Sequence, residues 1–182
     1  MKIGILAGAF NPVTRAHLAL ADAARAHVDE IVFALPRAFP HKEFEGASLD
    51  DRVEMIRRAS PHRIAITEGG LLIEIAREIQ IMNPDAEIHL ICGRDAAERI
   101  VEWKYDDPRM LDQMFEEVKL LVASRQGSYS PPAKLRHRIC VLDVPGEFDD
   151  VSSSEVRRRI EAGERWEHLV PPEIVKLARA IY

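Results

Sequence analysis

Apolar segments of strand length alternate along this chain with longer segments of helical periodicity. Six strands are predicted by the apolar runs "KIGILA", "EIVFAL", "RIAI", "EIHLIC", "KLLVAS" and "RICVLDV". Several of these runs are continuously apolar, which is typical of parallel strands covered on both faces. Helices between successive strands imply right-handed strand–helix–strand units. The sequence therefore predicts an α/β fold, a Rossmann-like doubly wound parallel sheet in a single domain of residues 1–182 with C-terminal helices.

The helices are bounded by recognisable start and stop signals. The first is predicted from Thr14 to Ala26, and further helices over residues 71–82 and, in one or two pieces, 95–117. "SLDD" and "SSSE" are capping-box patterns that open helices at Ser48 and Ser152, and a last helix is predicted to begin at Pro171-Pro172.

Charge and composition exclude several classes of function. The 182 residues carry a formal net charge of −5, so the chain has no overall basic field to attract nucleic acid. No stretch approaches the ~20 apolar residues of a membrane span, so no membrane association is expected. Two cysteines, Cys92 and Cys140, lie in apolar strands and are interpreted as reduced core thiols, which favours a cytoplasmic location. No His/Cys/Asp spacing indicates a protein metal site, and the sequence does not indicate an oligomeric state.

The first strand-to-helix turn, Gly8-Ala9-Phe10-Asn11-Pro12, carries the first candidate for chemistry. In a doubly wound fold the ligand lies at the carboxyl ends of the strands, where this turn falls. Gly8 lets the backbone approach a ligand, and the following helix N-terminus favours an anion. Thr14 and His17 share one helix face, so both could contact a phosphate and His17 could stabilise developing charge. The alternative is a turn glycine and a helix-capping threonine.

Three later segments also fall at strand ends. A lysine on a loop, Lys42 in "FPHKEF", could reach a phosphate, or could simply be an exposed loop residue. Asp95 in "CGRD" could accept sugar hydroxyls. In "VSSSEVRRR" a helix start presents serine hydroxyls and N–H groups with Arg157 one turn later, which indicates a second anion site or a capping box before a solvated arginine run. Arg158 and Arg159 are interpreted as surface charge.

These motifs together resemble the nucleotidyltransferase superfamily, and specifically the nicotinate and nicotinamide mononucleotide adenylyltransferases. "GAFNPVTRAH" resembles the signature G-x-F-[DN]-P followed by [TH]-x-G-H, with Ala16 in place of the usual glycine. "PHK" resembles a loop of the nicotinate enzymes, "GRD" their Gly-x-Asp, and "VSSSEVR" their Ile-Ser-Ser-Thr-x-x-Arg. The resemblance covers Lys2 to about Val175.

The resemblance implies roles for individual residues. ATP would be bound by the first turn, the Gly-x-Asp segment and the serines, namely by Gly8, Ala9, Phe10, Asn11, Gly93, Asp95, Ser152, Ser153 and Ser154. Catalysis would rest on contacts to the phosphates, made by His17, Thr14, Lys42 and Arg157. Trp103 would stack on a pyridine ring of the acceptor, the alternative being a partly buried helix aromatic. Mg²⁺ would accompany ATP, held mainly by substrate oxygens and water.

One segment departs from the family pattern. The nicotinate enzymes carry Ser-Tyr-Thr after the third strand, whereas this chain has "EGGLLIEIA", in which Leu71 and Leu72 supply no hydroxyl. Gly69 and Gly70 could still offer N–H groups to a carboxylate or amide. We therefore expect an acceptor preference that is blurred or leans to the amide.

The sequence thus predicts an adenylyltransferase that joins the AMP moiety of ATP to a pyridine mononucleotide, releasing pyrophosphate. The alternatives are phosphopantetheine adenylyltransferase, against which "PHK" and Trp103 argue, or another nucleotidyltransferase of the fold such as a cytidylyltransferase. A non-catalytic nucleotide-binding regulator is the alternative of a different class.

Overall fold

A computed structural model describes residues 1–38, 46–103, 107, 109–124 and 128–182. Its sheet contains the six predicted strands: Lys2–Ala7 (β1), Glu30–Pro36 (β2), Arg63–Thr67 (β3), Glu87–Gly93 (β4), Val118–Ala123 (β5) and Ile139–Leu142 (β6). All neighbouring strands run parallel, in the order β3-β2-β1-β4-β5-β6. The predicted doubly wound α/β architecture is confirmed.

Seven α-helices occur in the described residues: Arg15–Ala24 (α1), Leu49–Ala59 (α2), Leu72–Met82 (α3), Arg94–Glu102 (α4), Met110–Glu117 (α5), Ser153–Glu161 (α6) and Val175–Ile181 (α7). The predicted 95–117 segment is thus two helices. Pro171-Pro172 begins a short 3₁₀ turn, Pro172–Ile174, and α7 follows it.

Two apolar layers cover the sheet, as the continuously apolar strands predict. On one face α1, α2, α6 and α7 pack around Phe33 and Ile56. On the other, α3, α4 and α5 pack around Ile75 and Leu120. The winding reverses between β1 and β4, so a crevice is expected at their carboxyl ends.

The two cysteines differ in burial. Cys92 lies in the central strand β4 and is buried, and burial raises the pKa of its thiol to about 12. Cys140 is only half-buried, because β6 is an edge strand; it lies 3.7 Å from His27 Nδ1. The prediction of two core thiols is therefore wrong for Cys140. Both cysteines are free.

Candidate active site

The turn between β1 and α1 has an unusual backbone. Phe10 has φ +49°, in the left-handed region, and its ring lies against His17 at 5.0 Å and Phe33 at 5.2 Å between centroids. A Cβ added at Gly8 would lie 3.3 Å from the Phe10 ring. The structure thus gives Gly8 a packing role beneath Phe10, in addition to the ligand approach predicted from sequence.

Two buried or half-buried arginines hold the carbonyl groups of this turn. Arg52, 4% exposed, donates from Nη1 to Ala9 O at 3.1 Å, and Arg157 donates from Nη1 to Asn11 O. In a trans peptide the N–H points away from the C=O. The N–H of Phe10 is therefore directed away from Arg52.

Thr14 and His17 form a pair at the start of α1. The backbone N–H of Thr14 donates to His17 Nδ1 at 2.9 Å, and the Thr14 hydroxyl lies at the same distance from Nδ1. Since Nδ1 accepts from an N–H, the neutral ring carries its proton on Nε2. Thr14 is fully buried, so its hydroxyl contacts His17 rather than open space.

The serines at the start of α6 join this helix to the first turn. Ser153 donates its hydroxyl to Pro12 O at 2.7 Å, and Ser154 Oγ accepts a long 3.5 Å contact from Arg157 Nη2. Ser152 caps α6 by accepting from Glu155 N at 3.1 Å. Residues of α6 and of the first turn, 141 to 146 positions apart in the sequence, are thus in direct contact.

The predicted capping box at Ser152 is only half formed. The Glu155 carboxylate turns to Arg158 and Arg159, at 2.8 and 2.6 Å, rather than back to the cap. These guanidinium hydrogen bonds lower the pKa of Glu155 to about 2. Arg158 also pairs with Glu164 and is exposed, as predicted for surface charge.

A cleft of about 750 Å³ connects the start of α4 with the start of α6. Three residues predicted to bind ATP line it: Gly93, Asp95 and Ser152. A Cβ at Gly93 would meet nothing within 4 Å, so this glycine borders open space. The prediction that Arg159 is only surface charge is wrong, because Arg159 also lines the cleft.

One predicted residue stands apart from this cluster. Trp103 follows α4 and is 65% exposed, which contradicts the interpretation as a partly buried helix aromatic. It lies eight residues beyond Asp95, roughly 12 Å along the helix. Lys42 falls outside the described residues.

The "EGGLL" segment does not offer the N–H groups that its glycines suggested. Glu78 accepts from the backbone N–H of Glu68 and Gly69 at 3.0 and 2.6 Å. Glu74 accepts from those of Gly70 and Leu71 at 3.1 and 3.0 Å. The expectation that Gly69 and Gly70 present N–H groups to the acceptor is therefore wrong in this arrangement, because the chain's own carboxylates take them.

Several residues at the site were not identified from the sequence. Besides Arg159, the cleft is lined by the charged residues Arg94, Arg99, Asp149, Asp150 and Glu155, whereas Arg52 contacts the turn between β1 and α1. Tyr182 donates its hydroxyl to Asn11 Oδ1. The sequence predicted no role for Arg52 or Tyr182, although an arginine on the apolar side of α2 was a signal for Arg52.

Two features of the described chain bear on membranes and metals. None of its helices has both the length and the apolar character needed to cross a membrane. Within the same described ranges, no group of three or more His, Cys, Asp or Glu side chains is arranged to hold a metal ion.

A parallel sheet with a crevice at its switch point, bordered by two helix N-termini and arginines, defines a Rossmann-like nucleotide-binding protein. The cytidylyltransferase-like family model matches residues 5–159. The chain belongs to this cytidylyltransferase-like family of nucleotidyltransferases, which confirms the predicted superfamily and enzyme class.

Two similar proteins and one solved structure have names that describe a specific activity. The chain is 32% identical to a Gloeobacter violaceus protein named "Probable nicotinate-nucleotide adenylyltransferase", over 96% of this chain and 91% of that protein. A Geobacter sp. (strain M21) protein of the same name is 30% identical over 96% and 94%. The Plasmodium falciparum nicotinic acid mononucleotide adenylyltransferase complexed with NaAD shares the fold, with TM-score 0.70, 17% identity and coverage of 97% and 95%.

Proposed function

We propose that this chain is an adenylyltransferase that joins the AMP moiety of ATP to a pyridine mononucleotide, a step of NAD biosynthesis. The observation that carries the proposal is the junction of the α1 and α6 N-termini, where Arg157 donates to Asn11 O and Ser153 to Pro12 O. Relatives at 30–32% identity over nearly the whole chain carry the nicotinate-nucleotide adenylyltransferase name. This function implies a cytoplasmic protein.

The reaction needs positioning and charge stabilisation rather than a covalent intermediate. An oxygen of the mononucleotide phosphate attacks the α-phosphorus of ATP, and the bond from that phosphorus to the bridging oxygen of pyrophosphate breaks. His17 donates from Nε2–H to a phosphoryl oxygen as charge develops there. Thr14 fixes the tautomer that makes this donor available.

The remaining residues bind the two substrates. Asp95, open to the cleft, accepts from the ribose hydroxyls, and Gly93 leaves room for the sugar. Arg157, with Lys42 as the sequence predicts, neutralises the leaving pyrophosphate. The backbone of Gly8 to Asn11 borders the phosphates, because the Phe10 and Asn11 side chains themselves are buried.

Mg²⁺ accompanies ATP in this proposal. The ion would be held mainly by substrate oxygens and water, and Asp149 and Asp150, which line the cleft, would add to the negative charge around it. When bound, Mg²⁺ neutralises the triphosphate oxygens. The protein's own part is to orient the triphosphate with the α1 and α6 N-termini and Arg157.

A pyrophosphate-release assay with MgATP and a panel of acceptors tests the proposal. The panel contains nicotinate mononucleotide, nicotinamide mononucleotide, phosphopantetheine and, with CTP, phosphocholine. Release with a pyridine mononucleotide alone is expected. Turnover only with phosphopantetheine would overturn the acceptor assignment, and MgATP binding without any turnover would favour a nucleotide-binding regulator.

A further inference from the structure

The residue that follows α7, Tyr182, reaches the phosphate-binding turn from the opposite end of the chain. Its hydroxyl donates to Asn11 Oδ1, across 171 positions of sequence. Asn11 is 2% exposed, so its amide oxygen depends on a protein donor rather than on solvent. We propose that Tyr182 is a positioning residue, which fixes Asn11 and thereby the backbone of the turn that binds ATP; this inference rests on the proposed function.

The turn needs such a support because its backbone is not held by a regular element. Phe10 adopts φ +49°, a conformation that non-glycine residues rarely adopt and that persists where neighbouring contacts enforce it. Among the described residues, three side chains contribute contacts that support it. Arg52 of α2 holds Ala9 O, Arg157 of α6 holds Asn11 O, and Tyr182 holds the Asn11 side chain.

The Tyr182 ring is itself firmly seated. Gly46 has φ +100°, and a Cβ placed there would lie 2.9 Å from Tyr182 Cε1 and 3.3 Å from Cδ1. A side chain at position 46 would therefore displace the ring. The phenol, the Gly46 backbone and Asn11 form one packed unit beside the turn.

The hydroxyl also keeps its proton. Burial raises the pKa of Tyr182 well above its usual range, against the opposing charges of Arg157 and Arg52 and with a smaller contribution from Asp51. Tyr182 is thus a constant donor over the working pH range. Its removal would leave a buried amide oxygen of Asn11 without this donor, next to the carbonyl that Arg157 binds.

A double-mutant cycle tests whether Tyr182 acts through Asn11. Tyr182→Phe removes only the hydroxyl, Asn11→Ala removes its acceptor, and the double variant removes both. We expect Tyr182→Phe to lower kcat/KM for ATP, and to weaken MgATP binding measured by calorimetry, each by about 10-fold. The KM for the acceptor mononucleotide is expected to stay unchanged. The double variant is expected to match Asn11→Ala, because the two residues form one unit.

A residue that only stabilises α7 would behave differently. It would lower the melting temperature and leave both the ATP dissociation constant and the KM values of the folded enzyme unchanged. Arg179→Ala is the matched control, since exposed Arg179 lies on α7 and binds half-buried Glu167 rather than the turn. It is expected to keep wild-type kinetics. Gly46→Ala, which displaces the ring and keeps the hydroxyl, is expected to reproduce the loss of ATP affinity and serves if Tyr182→Phe does not fold.

The outcomes separate this inference from the proposed function. Wild-type ATP affinity in Tyr182→Phe, or a double variant whose loss is the product of the two single losses, would overturn the positioning role. Wild-type protein that binds MgATP but turns over no mononucleotide would contradict the proposed function, and the binding cycle would still decide the role of Tyr182. Wild-type protein that does not bind MgATP would overturn both.

Discussion

Helices α1 and α3 both begin at the carboxyl edge of the sheet, yet the groups that accept hydrogen bonds at their N-termini differ in charge. Before α3, the N–H groups of residues 68–71 donate to the carboxylates of Glu78 and Glu74. The first turn of α1 has no acidic residue, and the acceptor at its start is the Nδ1 atom of a neutral His17.

The difference shows which helix N-terminus is available to a ligand. The positive end of a helix favours an anion, but α3 already has two from its own side chains. At α1 the capping group carries no charge, so the positive end remains for a phosphate. A histidine at this position therefore caps the helix without occupying the site.

The largest effect is expected from making α1 resemble α3. In His17→Glu the carboxylate can take the Thr14 N–H, as Glu74 takes that of Leu71, so the melting temperature should stay close to wild type. Turnover should fall beyond the ~10²–10³ expected for one lost donor, because a negative charge now faces the phosphates. Pyrophosphate release and calorimetric titration with MgATP measure both effects.

His17→Ala removes the Nε2–H donor without adding a charge, so it separates the two effects that His17→Glu combines. Its turnover should fall by ~10²–10³ while MgATP binding changes less. His137→Ala, an exposed histidine at the opposite edge of the sheet, is the control. Turnover of His17→Ala within a few-fold of wild type would remove His17 from the mechanism.

A smaller loss is expected when the arginine that faces the α1 turn is removed. Arg157→Ala should lower kcat/KM for ATP by about 10- to 100-fold, the usual range for a charge-assisted contact to phosphate. Arg158→Ala is the matched control, because Arg158 is exposed and pairs only with glutamates among its described contacts. Equal losses in both variants would mean that α6 carries an ordinary solvated arginine run.

Acceptor preference tests the other half of the comparison. The resemblance places the segment after β3 beside the acceptor ring, and here its N–H groups are taken by Glu74 and Glu78. We expect kcat/KM for the acid form of the acceptor to exceed that for the amide form by less than ~100-fold. A ratio of that size corresponds to a difference of nearly 3 kcal/mol in transition-state binding. Glu78→Gln should shift the ratio towards the acid, whereas Glu116→Gln, at an exposed position of α5, should not. A larger preference for the acid would contradict the occupied N-terminus at α3.

The smallest effect is expected on the pH dependence of stability, at the amino edge of the sheet, where polar groups pair with one another. His89 Nε2 lies 2.5 Å from Glu87 Oε1, and Lys119 Nζ lies 2.9 Å from Glu87 Oε2. These two partners lower the pKa of Glu87 to about 2, while burial lowers the pKa of His89 below its usual 6.5.

The sign of the pH dependence follows from the His89 shift. Below about pH 6.5 the unfolded chain takes up a proton that folded His89 resists, so stability declines as the pH falls from there, and the lowered pKa of His62 acts in the same direction. In thermal melts at pH 7.5 and 5.5, His89→Gln should lose less stability than wild type. Its turnover at pH 7.5 should be unchanged. If the variant lost more stability than wild type between pH 7.5 and 5.5, His89 would not be a source of the pH dependence.

The fold was predictable because its signals are local. The six apolar runs correspond to the six strands, and Ser48 and Asp51 form the expected capping box. Both features depend on residues that are neighbours in the sequence. The positions of the motifs at the strand ends followed from the parallel topology. Lengths of individual helices, such as α1 ending at Ala24, depend on packing that the sequence pattern does not specify.

The details of the site were less predictable because they depend on contacts between distant residues. Nothing near Tyr182 indicates that it meets Asn11, and Arg52 had only its place on α2 to suggest burial. The hydroxyls of Ser153 and Thr14 were expected at phosphates, yet they bind Pro12 O and His17. Gly69 and Gly70 pointed to open N–H groups, whereas carboxylates from the next helix fold back onto them.

The support of the first turn by Arg157 and Tyr182 has a consequence for synthesis on the ribosome. A nascent chain that has emerged as far as Leu142 contains every strand of the sheet, but not the two side chains that hold Asn11. Affinity for ATP should therefore arise only after residues 143–182 have left the exit tunnel and docked. Nucleotide binding would then stabilise only chains in which Arg157 and Tyr182 have docked, and shorter nascent chains would neither sequester ATP nor be stabilised by it.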